Sequence, residues 1–192
     1  MNLPSALKKD YVQTAMMIVA AILAVLIFWY SLTFILGTGN PILAVASESM
    51  EPVLYRGDLI IIEGVKNISD IHVGTKDSAN PGDIIIFHEP QDSGELIVHR
   101  AVERIDNGDG TYSFRTWGDN NAVKDWWEVD QSEVVGRYLW KVPLLGHIAL
   151  FFSPLEVKIA FVILWIIVLL TLELAPSVRK RLKNGGDEAS LY

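Results

Sequence analysis

The chain has 192 residues, 51% of them hydrophobic and 20% charged, with a mean hydropathy of +0.30 and a formal net charge of −7. That length suits one domain with a real core, and the low share of charge points to membrane segments. The acidic balance argues against nucleic acid as a partner, and the absence of cysteine excludes disulfides, thiol nucleophiles, zinc–thiolate sites and iron–sulfur clusters.

Residues 1–14 contain Lys8 and Lys9 and precede a 22-residue stretch, 15–36, that holds no charge and is dominated by Ala, Ile, Leu, Val and Phe. As a helix this stretch is about 33 Å long, enough to cross a hydrocarbon core of about 30 Å. Trp29 and Tyr30 lie near its far end, and Gly37, Gly39 and Pro41 stop it. The run is too long for the apolar core of a secretory signal peptide, so the sequence predicts an uncleaved transmembrane anchor.

Residues 37–147 read as a β-rich domain with 9 Lys and Arg against 18 Asp and Glu, a balance of −9. The short apolar runs Leu59 to Ile62 and Ile84 to Phe87 each follow a Gly-Asp turn, Gly57-Asp58 and Gly82-Asp83. Leu96 to Ile105 and Thr111 to Thr116 are β-branched and aromatic, and Asn107-Gly108-Asp109-Gly110 between them is a hairpin turn signal. Val134 to Val142 is the last predicted strand, and helical periodicity is absent from the region.

A second transmembrane helix is predicted over 154–175. Ser153 as N-cap, Pro154 at the first helical position and Glu156 form its start, and Pro176 ends it. The tail 176–192 begins with the basic residues Arg179, Lys180, Arg181 and Lys183. Positive charge flanks the start of the first span and the end of the second. Both termini are therefore expected in the cytoplasm and residues 37–147 outside it.

With no cysteine, the candidate nucleophiles are hydroxyls. Ser47-Glu48-Ser49-Met50-Glu51-Pro52 falls just past the anchor, where a serine in a turn can expose both its Oγ and its backbone N–H. Such a serine needs a base. Of His72, His88, His99 and His147, only His99 lies within a clear strand, where the scaffold can hold its rotamer. Trp117-Gly118-Asp119-Asn120-Asn121 is a self-bonded turn followed by Asp125, and either carboxylate can orient a histidine. Each feature alone is more often a solvated turn or a structural histidine.

In order, these residues resemble the type I signal peptidases, in the archaeal and endoplasmic-reticulum branch of that family. The resemblance spans the anchor and the β-rich region. It rests on SESMEPVLYRGDLIII, PGDIIIF, IVHRAVE and GDNN with an aspartate beyond. It implies a mainly β catalytic domain of the signal-peptidase type, which the two predicted transmembrane helices flank. It also implies Ser49 as nucleophile and His99 as base, at the position where bacterial members place lysine. Asp125 is expected to complete the triad and Asp119 to support it, with Ser47, Ser49 and Met50 around the oxyanion and substrate. Trp117 departs from the basic residue often found before the Gly-Asp pair.

The implied activity is that of a cofactor-free serine endopeptidase without a metal. It removes signal peptides from exported pre-proteins after small residues, at the outer face of a cell or endoplasmic-reticulum membrane. Signal peptides, membrane lipid and secretion machinery or partner subunits are the expected partners. Met50, Trp126, Trp127 and Trp140 are candidates to dip into the bilayer interface. Two other readings are an anchored non-catalytic binding or assembly subunit, and a related serine protease with a dedicated surface substrate.

Overall fold

In the computed structural model, which describes residues 5–91, 94–168 and 171, the uncharged stretch lies inside a longer helix, α1 (Ser5–Leu36). Its segment Val12–Leu36 has 25 residues and a hydropathy of 2.5, and it is not buried against the rest of the protein. It is long and apolar enough to cross a membrane. The helix gives way at Gly37, which takes the left-handed conformation (φ 64°) that a residue with a Cβ adopts only at a cost.

Seven strands follow: β1 (Ile42–Ala44), β2 (Leu59–Glu63), β3 (Ile84–His88), β4 (Leu96–Asp106), β5 (Tyr112–Trp117), β6 (Val129–Asp130) and β7 (Val134–Val142). They form one antiparallel sheet in the order β1-β2-β7-β3-β4-β5-β6. All five predicted strand segments are present. β1 and β6 are additional, three and two residues long, and too short to leave a periodic signal. The predicted β4–β5 turn is built as expected. Gly108 and Gly110 take positive φ, Asp106 accepts from the Gly108 N–H, and Asp109 accepts from the Thr111 N–H.

Two buried clusters explain the apolar runs. Val45, Met50, Leu54, Ile60, Ile62, Ile84 and Ile86 form one, and Ile71, Ile85, Phe87, Ala101, Phe114 and Val129 the other. Strand side chains alternate between faces, so Ile84-Ile85-Ile86-Phe87 is buried throughout because β3 supplies both clusters. In β2 only Ile60 and Ile62 are buried, and Leu59 and Ile61 are partly exposed.

The two Gly-Asp turns tie segments together. The Asp58 carboxylate accepts from Lys141 Nζ (2.8 Å) and from the backbone N–H groups of Tyr55 (3.0 Å) and Leu144 (3.3 Å), and its carbonyl accepts from the Val45 N–H (2.9 Å). This one residue joins the end of β1, the entry to β2, the end of β7 and the turn beyond it. Burial pushes the Asp58 carboxyl up. The hydrogen bonds from Lys141, Tyr55 and Leu144 and the charge of Lys141 outweigh it, and the group lies below its ordinary 3.8.

The chain divides into two compact units, Met1–Gly146 and His147–Tyr192. In the second unit, residues 155–168 are helical from the predicted start, with Lys158 N–H bonded to Pro154 O, and Phe152, Phe161 and Trp165 stack edge to face. Among the described residues one helix, α1, is long and apolar enough to cross a membrane. The second predicted span, 154–175, is described only in part: 169–170 and 172–175 lie outside the described residues, as does the basic tail 176–192. The short helix α2 (Gly146–Phe151) precedes it.

Asp58→Asn leaves Lys141 without a counter-charge and is expected to lower the stability of the full chain in detergent by about 2–3 kcal/mol at neutral pH. Because the folded value is lowered, this contribution is complete above the ordinary carboxylate value and is lost as pH falls through the folded one. Denaturant unfolding is therefore expected to show the gap between native and variant chains closing below about pH 4.

Candidate active site

Residues 45–58 link β1 to β2 and carry Ser49. The segment is pinned from below: Met50 and Leu54 insert into the first core cluster, and the Leu54 N–H bonds to Met50 O (2.9 Å). The Glu51–Pro52 peptide is cis. Ser49 stays partly exposed, its Oγ 3.2 Å from Ser47 Oγ. Its N–H makes no hydrogen bond to another described residue. A second contact fixes the loop from the side, where Asn120 donates its backbone N–H to Ser49 O (2.8 Å) and its side-chain amide to Glu48 O (3.1 Å).

The turn that supplies Asn120 follows β5. A Cβ built on Gly118 would lie 2.7 Å from Ser49 O, so the close approach of the two loops depends on that glycine. The Asn121 N–H bonds back to Gly118 O, and Trp117 Nε1 donates to Asn121 O, closing the turn. The sequence marked Trp117 only as a departure from the family pattern; its indole fastens this turn.

β4 contributes both His99 and Arg100. Neighbouring residues on a strand face opposite sides, and each finds its own aspartate. His99 Nδ1 lies 2.6 Å from Asp125 Oδ2, and the same oxygen accepts from Thr116 Oγ1 (2.6 Å). Arg100 makes a two-pronged pair with Asp119, Nε to Oδ1 at 2.8 Å and Nη2 to Oδ2 at 2.6 Å, and also donates to Gly82 O. Lys76 donates to the carbonyl of Asp119. All four paired side chains are buried. The carboxylate on the histidine is thus Asp125, and Asp119 pairs with the guanidinium of Arg100 instead.

Arg100 and Thr116 were not among the residues singled out from the sequence. Arg100 adjoins His99, and a buried arginine needs a carboxylate, but nothing in the linear order assigns it Asp119 rather than Asp125.

Ser47, Ser49, Met50, His99 and Asn121 line one cleft of about 360 Å³. Its two long walls are residues 43–47 and 95–99. β1 is the edge strand of the sheet, and residues 96–99 of β4 pair only with β3, because pairing with β5 begins at Arg100↔Trp117. The cleft therefore runs between two unpaired strand edges.

Two expectations about the interface are corrected. Met50 is only 1% exposed and is a core residue that reaches the cleft floor, not a side chain that dips into lipid. Trp127 is partly buried and packs on the second core cluster, whereas Trp126 and Trp140 stay 73% and 60% exposed. Both corrections follow from the alternation of buried and open positions, which composition does not reveal.

Residues 11–103 match the family model described as signal peptidase, peptidase S26. Over those residues the chain is similar to the S26 signal peptidases. It is 30% identical over 134 residues to the signal peptidase complex catalytic subunit SEC11C of Homo sapiens and of Mus musculus, covering 65% of this chain. The match spans 64% of those mammalian relatives, just under two thirds of their length. A subunit SEC11 from Lachancea thermotolerans is 28% identical over 143 residues, covering 69% of this chain and 78% of its own. Their description as signal peptidase catalytic subunits agrees with the family to which the motifs pointed.

The two aspartates are expected to separate by experiment. Asp119→Asn strands a buried guanidinium and is expected to cost about 3–5 kcal/mol in denaturant unfolding. Asp125→Asn keeps an oxygen for Thr116 and removes no partner from a fixed charge, so about 1 kcal/mol is expected.

Proposed function

We propose that the chain is a membrane-anchored serine endopeptidase that removes signal peptides from exported pre-proteins after small residues. The observation that carries this reading is the 2.6 Å His99–Asp125 pair in a site whose cleft also holds Ser49. In this reading Ser49 Oγ attacks the scissile carbonyl. His99 takes the hydroxyl proton on Nε2, since Nδ1 is engaged by Asp125, and passes it to the leaving amine. Water then enters by the same route, giving its proton to His99, and breaks the Ser49 ester to release the acid product. Asp125 holds the ring in the tautomer that leaves Nε2 able to accept.

The oxyanion is assigned to the Ser49 N–H and the Ser47 hydroxyl, 3.2 Å from the nucleophile. One such donor contributes about 3 kcal/mol to the barrier reduction. An extended substrate fits between the two open strand edges with backbone hydrogen bonds, a mode that selects extended chain before it selects side chains. Met50 on the cleft floor and the apolar residues Leu43, Val45, Leu96 and Val98 along its walls suit small apolar side chains.

Residues 12–36 anchor the chain. The Lys8-Lys9 pair keeps the N-terminus cytoplasmic and puts the cleft on the opposite face. The helix that begins at residue 155 is proposed as the first part of a second span, with the basic tail cytoplasmic. The relatives' description as subunits of a signal peptidase complex suggests that this chain too has partner subunits.

Purified native chain in detergent is expected to cut a pre-protein at its signal peptide, with the fragments identified by mass spectrometry. Ser49→Ala is expected to abolish cleavage. Asp125→Asn is expected to lower kcat by about 10³–10⁴-fold. Folded native chain that cuts nothing, or a Ser49→Ala variant that still cuts, overturns the reading.

A further inference from the structure

The segment between α1 and β1 is short and tied at several points. Leu36, the last helical residue, accepts the Gly64 N–H at 2.7 Å. Thr38, only 7% exposed, donates its hydroxyl to Val135 O at 3.2 Å and receives the Asn40 N–H. Pro41 is buried and its carbonyl accepts the Ile62 N–H at 3.0 Å. The helix end is thus fastened to the end of β2 and the start of β7, two neighbouring strands inside the sheet.

Contact at this joint is close enough to require glycine. A Cβ added to Gly64 would lie 2.0 Å from Gly37 O and 2.7 Å from Gly37 C, both backbone atoms that cannot swing aside. Gly37 itself holds a positive φ. On the next strand, a Cβ on Gly136 would lie 2.4 Å from Glu63 O, so backbones approach from both sides of the β2 terminus. Around it, Arg137 pairs with Glu63 (2.6 Å) and reaches Asp83 (3.6 Å).

We propose that this joint fixes the catalytic domain rigidly on its anchor, with Gly64 and Thr38 as positioning residues that set the height of Ser49 above the bilayer and hence the position of the cut. The inference rests on the reading of the chain as a membrane-anchored endopeptidase and adds to it a determinant of where that enzyme cuts. Residues 37–41 alone separate the end of α1 from β1. A flexible tether of five residues has an r.m.s. span of about 12 Å. At about 3.3 Å per residue, that freedom equals roughly four positions along an extended substrate. Ties at Leu36, Thr38 and Pro41 remove it.

The chain has no cysteine, so Ser31→Cys in α1 and Lys124→Cys in the β domain, both exposed positions, accept nitroxide labels at those two sites only. In lipid bilayers the native joint is expected to give a narrow distance distribution, and Gly64→Ala a broad one. A short Gly-Ser insertion between Leu36 and Gly37 loosens the joint without adding a clash and is expected to broaden the distribution as well.

The activity arm uses a pre-protein with a run of alanines after its signal helix, and a short soluble peptide with the same cleavage sequence. Native chain is expected to cut the alanine run at one position, and both loosened chains at several. All three should cut the soluble peptide with equal kcat/KM. A broad distribution in the native chain, or one cut position retained in both loosened chains, overturns the proposal. So does an equal loss on the soluble peptide in both, which marks the joint as merely structural. A narrow distribution in a native chain that cuts neither substrate supports the rigid joint and overturns the endopeptidase reading instead.

Discussion

The candidate site depends on a meeting between two loops that the strand order places far apart. The Ser49 loop leaves β1, one edge of the sheet, and the Gly118–Asp125 turn leaves β5, next to the other edge. In a flat seven-stranded sheet they would lie about five strand spacings of 4.8 Å from each other. They touch, Asn120 N–H to Ser49 O at 2.8 Å, a contact that strand twist and the reach of the two loops together allow. Irregularities in register at Ile61/Ile62, Ile86/Phe87 and Ala101/Glu103 fall on three strand pairs and are where such a sheet gains extra twist.

Once the loops have met, β4 organises what lies between them. Its first half pairs on one side only and leaves an open edge toward the cleft, while its second half is locked into the β4–β5 hairpin. His99 and Arg100 stand at the change from one regime to the other, and the turn after β5 supplies an aspartate to each. The two carboxylates therefore have different physical roles. Asp119 neutralises a permanent cation and fastens the turn to the strand, whereas Asp125 faces a group whose charge can change. A buried ion pair is a poor source of net stability, but its bidentate geometry leaves the turn little freedom.

The nucleophile segment is held by apolar side chains as much as by hydrogen bonds. Met50 and Leu54 lie on either side of the cis Glu51–Pro52 peptide and are both fully buried. Ser49 is thus a partly exposed residue bonded directly to a core residue, so its position inherits the order of the core. Asp58, at the far end of the same loop, closes it onto β7 through Lys141.

Much of this was legible in the chain itself. The uncharged run 15–36, the β-branched segments and the Asn-Gly-Asp-Gly turn are local signals, and each corresponds to an observed element because period and turn chemistry act over a few residues. The residue types at Ser49, His99, Asp119 and Asp125, in their order, were enough to name a family. Which aspartate meets His99 was not legible, since both sit in one turn and the choice depends on opposite faces of β4. Nor was the burial of Met50 and Trp127, the bond from Asn120 to the Ser49 loop, or the need for glycine at position 64. Sequence determined the elements and the chemical groups because those follow from neighbours along the chain. Tertiary structure decided partners, burial and close approach, because these are set by residues distant in the chain that meet only when the sheet has formed.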